Sequence, residues 1–185
     1  PQDNNRVKVI FNINEGPKTG VKKIYFVGNE NYKDSELRSL IMTKESRWFR
    51  FLETNDTYDP YRIELDKQML EQFYNSVGFA DFRTISVTAD LLPTKEGFII
   101  TYSVEEGVKY KFGKITLDNR LASINNDEVL TFLPKNEGEI FNLNAMHRVS
   151  QKISDYLAVK GYPQVSVYPD TVPNVALGTV DVTIV

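Results

Sequence analysis

The chain has 185 residues, of which 41% are hydrophobic and 25% are charged, and its formal net charge is −3. These proportions match globular proteins and exclude a disordered or fibrous chain, while the acidic balance disfavours a nucleic-acid binder, whose affinity depends on basic patches. The sequence has no cysteine, which excludes disulfide frameworks and thiolate metal sites, and no apolar run approaches the roughly 18 residues of a membrane-spanning helix.

The first predicted element is a strand over residues 7–13, in which apolar and polar residues alternate. It leads into Glu15-Gly16 and has no helix before it. A strand of the same kind leads into Glu106-Gly107, but only after a complete set of elements. Residues 1–16 are therefore predicted to be the last strand of a preceding domain.

Residues 17–106 are predicted to form one complete domain, whose elements follow from apolar periodicity, turn residues and helix caps. In chain order they are a strand over 21–27 with a turn at Gly28-Asn29, a short helix over 34–42, an aromatic insert over 46–57, a helix from Asp59-Pro60 to a glycine cap at Gly78, and strands over 83–89 and 98–104. The turn at 93–97 joins the last two strands into a hairpin.

Residues 107–185 are predicted to be a second domain with the same order of elements, truncated at its last strand. The elements are a strand over 114–117, a short helix over 126–133 that Pro134 ends, a helix over 143–160 capped by Gly161, a strand over 164–168, a turn containing Pro169 and Pro173, and a strand over 179–185.

Both units read β-α-α-β-β, which predicts an α+β fold. Landmarks such as the Glu-Gly junctions recur in the same order, about 90 residues apart. The last two strands of each unit form an antiparallel hairpin, and the first joins them through the helical crossover. We expect a three-stranded mixed sheet in each unit, with both helices on one face and a more polar opposite face.

This ordered combination resembles POTRA domains. The motif residues Tyr58-Asp59, Asp66, Leu70, Phe73-Tyr74 and Gly78-Phe79 are similar to POTRA domains of the BamA family of outer-membrane protein assembly factors. The insert around Trp48 is similar to the third of five such domains, so the chain is most like the third and fourth. Two departures are Asp118-Asn119 where the first unit has Gly-Asn, and Phe79 for the usual tyrosine.

The resemblance implies a periplasmic arm at the outer membrane, followed by a membrane β-barrel of the same protein that is missing from this sequence. It implies a scaffolding role with accessory lipoproteins and unfolded outer-membrane proteins as partners. It also implies that the second strand of the first complete domain accepts an added β-strand. The corresponding residues are Phe82, Arg83, Thr84, Ile85, Ser86, Val87, Thr88 and Ala89.

The residues themselves give a reason for that edge. If the last strand is central, the strand over 83–89 has unpaired backbone groups along one side. Strand addition gains affinity from main-chain hydrogen bonds and asks little of side chains, which suits a protein with varied partners. The alternative is an ordinary edge that water solvates.

Catalytic chemistry has little support in this sequence, and we expect no enzyme activity, cofactor or metal. His147 is the only histidine and is predicted to be a surface or interfacial helix residue. Glu105-Glu106 could be catalytic or calcium-binding carboxylates, but a solvated linker is favoured, with an interdomain hinge at Glu106, Gly107 and Val108. The insert residues Arg47-Trp48-Phe49 could stack on bases or touch a membrane, but packing onto the domain is favoured.

Three functions remain open from the sequence. The favoured one is a POTRA segment of an outer-membrane assembly factor that scaffolds accessory proteins and binds unfolded precursors by β-strand augmentation. The alternative is a related secretion or autotransporter-assembly pore. The third is a cell-division or periplasmic enzyme carrying POTRA-like accessory units, and the absence of a catalytic constellation counts against it.

Overall fold

The computed structural model describes residues 19–46, 57–94 and 96–185. The predicted preceding strand over 7–13 and the packing of the Trp48 insert lie outside these residues. The elements of the first unit are β1 (Val21–Val27), α1 (Asp34–Leu40), α2 (Pro60–Ser76), β2 (Arg83–Leu91) and β3 (Phe98–Glu105). Those of the second are β4 (Lys111–Leu117), α3 (Asn126–Leu130), α4 (Leu143–Val159), β5 (Pro169–Asn174) and β6 (Thr179–Ile184).

Each unit contains one three-stranded mixed sheet. The strand orders are β1-β3-β2 and β4-β6-β5, so the last strand of each unit is central. The first strand of each unit pairs with it in parallel and the second pairs with it antiparallel. The predicted α+β fold of tandem β-α-α-β-β units is confirmed, and β2 is an edge strand as expected.

The helix α2 illustrates how the local sequence sets the element bounds. The Asp59 carboxylate caps its start by accepting a hydrogen bond from the Tyr61 N–H at 2.9 Å, and Pro60 occupies the first turn. Gly78 follows the helix with φ of 105°, a left-handed conformation that glycine adopts without steric cost. Buried Leu70 and Tyr74 attach the helix to the core of the first unit.

The second unit repeats this packing with a different set of apolar side chains. Phe112 on β4, Met146 and Ile153 on α4, and Val180 and Val182 on β6 are all buried in one cluster. Burial of such side chains against one face of the sheet supplies most of the free energy that holds a small domain together. The opposite face of each sheet is more polar, as predicted.

The asparagine turns of the two units are equivalent despite the departure at Asp118. In the first unit the Asn29 side chain donates to the Asp34 carboxylate at 3.0 Å. In the second, the Asn119 side chain donates to the Asn126 side chain at 2.7 Å. Both bonds tie the end of the first strand to the start of the following helix, so the asparagine carries the structural role in each turn.

The predicted strand over 164–168 is wrong. The strand is β5, Pro169–Asn174, which pairs with β6 from Pro169 opposite Ile184 to Asn174 opposite Thr179. The two prolines predict a turn, but an edge strand accepts proline where the missing N–H would point to solvent. The chain turns instead at 175–178. The short helix α3 is also three residues shorter than predicted, ending at Leu130.

The predicted alternation along β2 fails at Ile85. The register shifts between Thr84 and Ser86, opposite Ser103, which is the geometry of a β-bulge. Ile85 is therefore 56% exposed, although the sequence pattern placed it on the apolar face with Val87 and Ala89.

Candidate partner-binding edge

The outer edge of β1 is closed by side chains from its own domain. The Ile24 N–H donates to the Glu45 carboxylate at 3.1 Å, and the Phe26 N–H donates to Asp34 at 3.3 Å. The Arg38 guanidinium donates to the Ile24 carbonyl at 2.9 Å. With these donors and acceptors occupied, β1 offers an incoming strand few free backbone groups.

The outer edge of β4 is also covered at its start. The Phe112 N–H donates to the Glu139 carbonyl, and the Gly138 N–H donates back to the Phe112 carbonyl, both at 2.8 Å. A bridge between Lys111 and Ile140 continues this contact. The segment over 138–141 thus occupies the place of an added strand.

The edge of β2 has a different geometry. At the end of the hairpin, the Leu92 N–H donates to the Gly97 carbonyl at 2.9 Å. Leu92 and Gly97 are thus a hydrogen-bonded pair, and hydrogen-bonded and non-hydrogen-bonded pairs alternate along an antiparallel ladder. The register is unbroken from this pair back to Ser86 opposite Ser103. The residues that turn their N–H and C=O groups outward are therefore Val87, Ala89 and Leu91.

These outward N–H groups have no acceptor among the residues that the structure describes. Val87 and Ala89 are half-buried against the first core, so their backbone is held in place by packing. Packing of this kind limits the conformational freedom of the edge, which lowers the entropy cost of adding a strand.

A cleft of about 310 Å³ lies between α2 and the first residues of β2. Its helix side carries the ion pair between Lys67 and Glu64, with an N–O distance of 2.6 Å, and Glu71. Its strand side carries Arg83, which is paired with Glu105 at 2.6 Å. This charged cleft therefore lies beside the first residues of β2, before the register shift between Thr84 and Ser86.

The structure moves the candidate edge toward the hairpin turn. Phe82 is not an edge residue, because it precedes β2 and its buried ring stacks on Tyr74 with centroids 4.0 Å apart. Arg83, Thr84 and Ile85 lie at or before the bulge. The part of β2 with regular pairing, after the bulge, contains the other four predicted edge residues: Ser86, Val87, Thr88 and Ala89. Sequence reasoning missed Asp90 and Leu91, which counting back from the turn at 93–97 would have included.

Glu106 is not a solvated linker residue. It is only 5% exposed, and its carboxylate accepts hydrogen bonds from the Tyr74 hydroxyl at 2.7 Å and the Asn31 N–H at 3.0 Å. Glu105 is exposed, as a linker residue would be. Glu106 therefore belongs to the buried interior of the first domain. Motion at the predicted hinge of Glu106, Gly107 and Val108 stays a prediction, and Gly107 and Val108 are exposed.

Tyr110 connects the two units across this linker. Its N–H donates to the Gly78 carbonyl at 2.8 Å, and its hydroxyl donates to the Asp81 carboxylate. Burial, reinforced by the hydrogen bond to Asp81, raises the pKa of Tyr110 to about 12. A second bond joins α4 to α2, because the Asn144 side chain donates to the Gln72 carbonyl at 3.1 Å.

The other chemical candidates lie apart from these features. His147 is exposed on α4, as predicted. Within the described ranges no three His, Cys, Asp or Glu side chains are grouped to hold a metal ion. The helices in the same ranges are too short or too polar to cross a membrane.

Comparison with known families decides the relationship. The model of the POTRA family, described as the surface antigen variable number repeat, matches residues 19–107 and again 110–185. The chain belongs to the POTRA family. Its tandem POTRA units coincide with the two sheets described above.

Relatives of this POTRA chain include outer membrane protein assembly factors. The outer membrane protein assembly factor BamA of Neorickettsia risticii is 27% identical over 183 residues, which cover 99% of this chain and 24% of that protein. The BamA of Neisseria meningitidis serogroup B is 25% identical over 178 residues, covering 96% and 22%. The chain thus spans about a quarter of these curated relatives.

A solved structure of the same type confirms the POTRA fold. The crystal structure of Haemophilus influenzae BamA POTRA3-5 superposes with a TM-score of 0.74 at 19% identity, covering 92% of this chain and 68% of that one. The resemblance to POTRA domains of the BamA family is therefore confirmed, with the solved structure contributing the fold.

Proposed function

We propose that this tandem POTRA segment is a non-catalytic binding and scaffolding module of an outer-membrane protein assembly factor. It works at the periplasmic face of the outer membrane and binds unfolded outer-membrane proteins by adding one of their strands to β2. Accessory lipoproteins of the assembly machinery are the second class of partner, a proposal that the resemblance to BamA supports.

One observation carries the binding mode. Along β2, three successive outward positions, Val87, Ala89 and Leu91, present N–H and C=O groups without hydrogen-bond partners among the described residues. Unpaired strand edges are templates for another chain unless they are covered. The edge of β1 is occupied by side chains, and the start of β4 by the segment over 138–141.

The chemistry of this edge fits a partner with variable side chains. Backbone hydrogen bonds recognise any extended segment, whereas alternate side chains add selectivity. The side chains of Ser86 and Thr88 lie on the polar face of the sheet, next to those of Ser103 and Thr101 on β3. Because the main chain supplies most of the contacts, varied β-strand sequences can be accepted.

The test is a titration of the ¹⁵N-labelled chain with a short capped peptide of alternating threonine and valine. We expect the amide resonances of Val87, Ala89 and Leu91 to shift more than those of β1. A matched pair of variants isolates the backbone donor. Val87→Pro removes an outward N–H without touching the bonds to β3, and Val87→Thr changes the side chain but keeps the N–H.

We expect Val87→Pro to weaken peptide binding by about tenfold or more, because it removes a hydrogen bond and blocks close approach. Val87→Thr should bind within about threefold of the parent chain. Circular dichroism and urea unfolding show whether both variants remain folded. Equal binding by a folded Val87→Pro variant would contradict the proposed edge.

A further inference from the structure

The second domain has an edge equivalent to β2, and its backbone pattern can be read in the same way. Tyr168 and Val185 exchange both hydrogen bonds, with N–O distances of 3.2 and 3.0 Å. The register of β5 on β6 is unbroken from this pair to Asn174 opposite Thr179. By the antiparallel alternation, the residues with outward backbone groups are Pro169, Thr171 and Pro173.

Two of these three outward positions are prolines, which have no N–H. The equivalent positions on β2 are Val87, Ala89 and Leu91, each with an N–H. The correspondence is close because each outward residue lies opposite a helix-facing residue of the central strand. For example, Ala89 lies opposite Ile100, and Thr171 lies opposite Val182.

The proline rings also occupy space at the edge. An added strand approaches to about 4.8 Å from its neighbour, and a ring in place of an N–H hinders that approach on both sides of Thr171. Prolines on edge strands are a known means of preventing unwanted pairing. They cost β5 nothing within its own sheet, because the bonds to β6 come from the alternate residues.

We infer that Pro169 and Pro173 close the outer edge of the second domain to strand addition. Of the two equivalent hairpin edges, β2 alone receives an extended partner segment, and one chain binds one segment at these two positions. This inference deepens the proposed function of β2 and depends on it for its positive half. Its negative half concerns β5 and can be tested separately.

The first experiment opens the closed edge. The double variant Pro169→Thr/Pro173→Thr restores both outward donors with a residue suited to strands. Pro163→Thr, which changes an exposed proline outside β5, is the matched control. The probe is the capped threonine–valine peptide, followed by amide shifts and by calorimetric stoichiometry. We expect one peptide per parent or control chain and two per double-variant chain, with new shifts at Thr171.

The second experiment closes the open edge. Val87→Pro/Leu91→Pro reproduces on β2 the proline spacing of β5, and it leaves the bonds between β2 and β3 in place. We expect its peptide affinity to fall by at least about tenfold. The amide resonances of β5 should not shift. If the double threonine variant of β5 does not fold, the single variant Pro173→Thr, at an exposed position, is used instead, with a weaker second site expected.

The outcomes separate the two ideas. Shifts at Thr171 in the parent chain, at peptide concentrations that saturate β2, overturn the inference because the prolines then do not close β5. A folded β5 variant that binds only at β2 also overturns it. Binding to the opened β5 without any response at β2 supports the role of the prolines but contradicts the proposed function. No response at either edge in any variant contradicts both.

Discussion

Two buried carboxylates join distant parts of the first domain. Asp66 on α2 accepts the Met42 N–H at 2.6 Å and the Tyr102 hydroxyl at 2.8 Å. Glu106 in the linker accepts the Tyr74 hydroxyl in a similar way. A buried carboxylate is tolerated only when hydrogen bonds replace its lost water. Each tyrosine hydroxyl supplies one of these hydrogen bonds.

We expect Tyr74→Phe to lower the free energy of unfolding by about 1–3 kcal/mol, because Glu106 loses a donor inside the core. The phenylalanine ring keeps the stacking on Phe82, so the loss reports the hydroxyl. Tyr61→Phe is the control, since Tyr61 is 86% exposed, and its effect should stay within about 0.5 kcal/mol. Urea unfolding measures both. Equal stabilities would show that Glu106 does not need this donor.

Tyrosine ionisation should make the fold sensitive to alkaline pH. The folded-state pKa of Tyr110 is raised to about 12 by burial and then by its bond to Asp81, whereas an unfolded tyrosine titrates near pH 10. The folded state therefore holds this proton more tightly. Its contribution to stability is complete below about pH 10 and is lost as pH rises through about 12.

The pKa values of Tyr74 and Tyr102 are also raised by burial and by their carboxylate partners, so they act in the same direction. The measurement is urea unfolding at a series of pH values for the parent chain and Tyr110→Phe. We expect the variant to lose stability less steeply between about pH 10 and 12. Parallel curves would indicate that Tyr110 ionises equally in both states.

At the scale of the elements, two glycines with the same backbone conformation have different neighbours. Gly28 follows β1 with φ of 91°, and a Cβ added there would lie 2.1 Å from the Val104 carbonyl oxygen. Gly161 follows α4 with φ of 97° and has open space around the same position. One site therefore combines backbone strain with a collision, and the other has strain alone.

We expect Gly161→Ala to cost about 1–2 kcal/mol, the price of a left-handed residue with a side chain. Gly28→Ala should cost about 4 kcal/mol or more, because the central strand β3 must also move. Thermal and urea unfolding of the two variants give the comparison. Similar losses at both sites would mean that β1 and β3 separate easily at this end of the sheet.

The elements also show where prediction from sequence succeeds. The bounds of α2 follow from Asp59-Pro60 and Gly78, because caps act on their immediate neighbours. The place of β5 could not be predicted in this way. Proline excludes a central strand but permits an edge strand, and only the pairing with β6 shows which of its backbone groups face outward. The burial of Glu106 depends likewise on Tyr74 and Asn31, which are distant in sequence.

The candidate edge was located from sequence only to within a few residues. The order of the elements placed a strand edge after Phe82, because the last strand of such a unit is central. The bulge at Ile85 has no local sequence signal that distinguishes it from regular alternation, and it results from pairing with β3. The candidate stretch therefore moves to 86–91 once the register is known.

At the scale of the whole molecule, the linker between the domains is short, because hydrogen bonds attach the residues at both of its ends to the first domain. Glu106 is bonded into the first domain, and Tyr110 bonds back to Gly78 and Asp81. Only residues 107–109 lie between these attachments. Lys109 extends over the Phe79 ring, with its Nζ 5.9 Å from the centroid. We expect a restricted joint, with the bond from Tyr110 to Asp81 as one of its restraints.

Removing that restraint tests the predicted hinge. The sequence has no cysteine, so spin labels can be attached at Gln68→Cys on α2 and Lys152→Cys on α4. We expect a narrow distribution of label distances in the parent chain and a broader one in Asp81→Ala, because the buried Tyr110 hydroxyl then lacks its acceptor. Asp90→Ala, on β2 and away from the joint, should leave the distribution narrow.

The direction of the result matters for function. A narrow distribution in the parent chain means that the two domains keep a fixed orientation. A strand added to β2 would then extend the first sheet in a defined direction relative to the second domain. A parent distribution as broad as that of Asp81→Ala would show that Tyr110 does not restrain the joint. The linker would then act as a hinge through residues 107–109, since Glu106 is fixed in the first core.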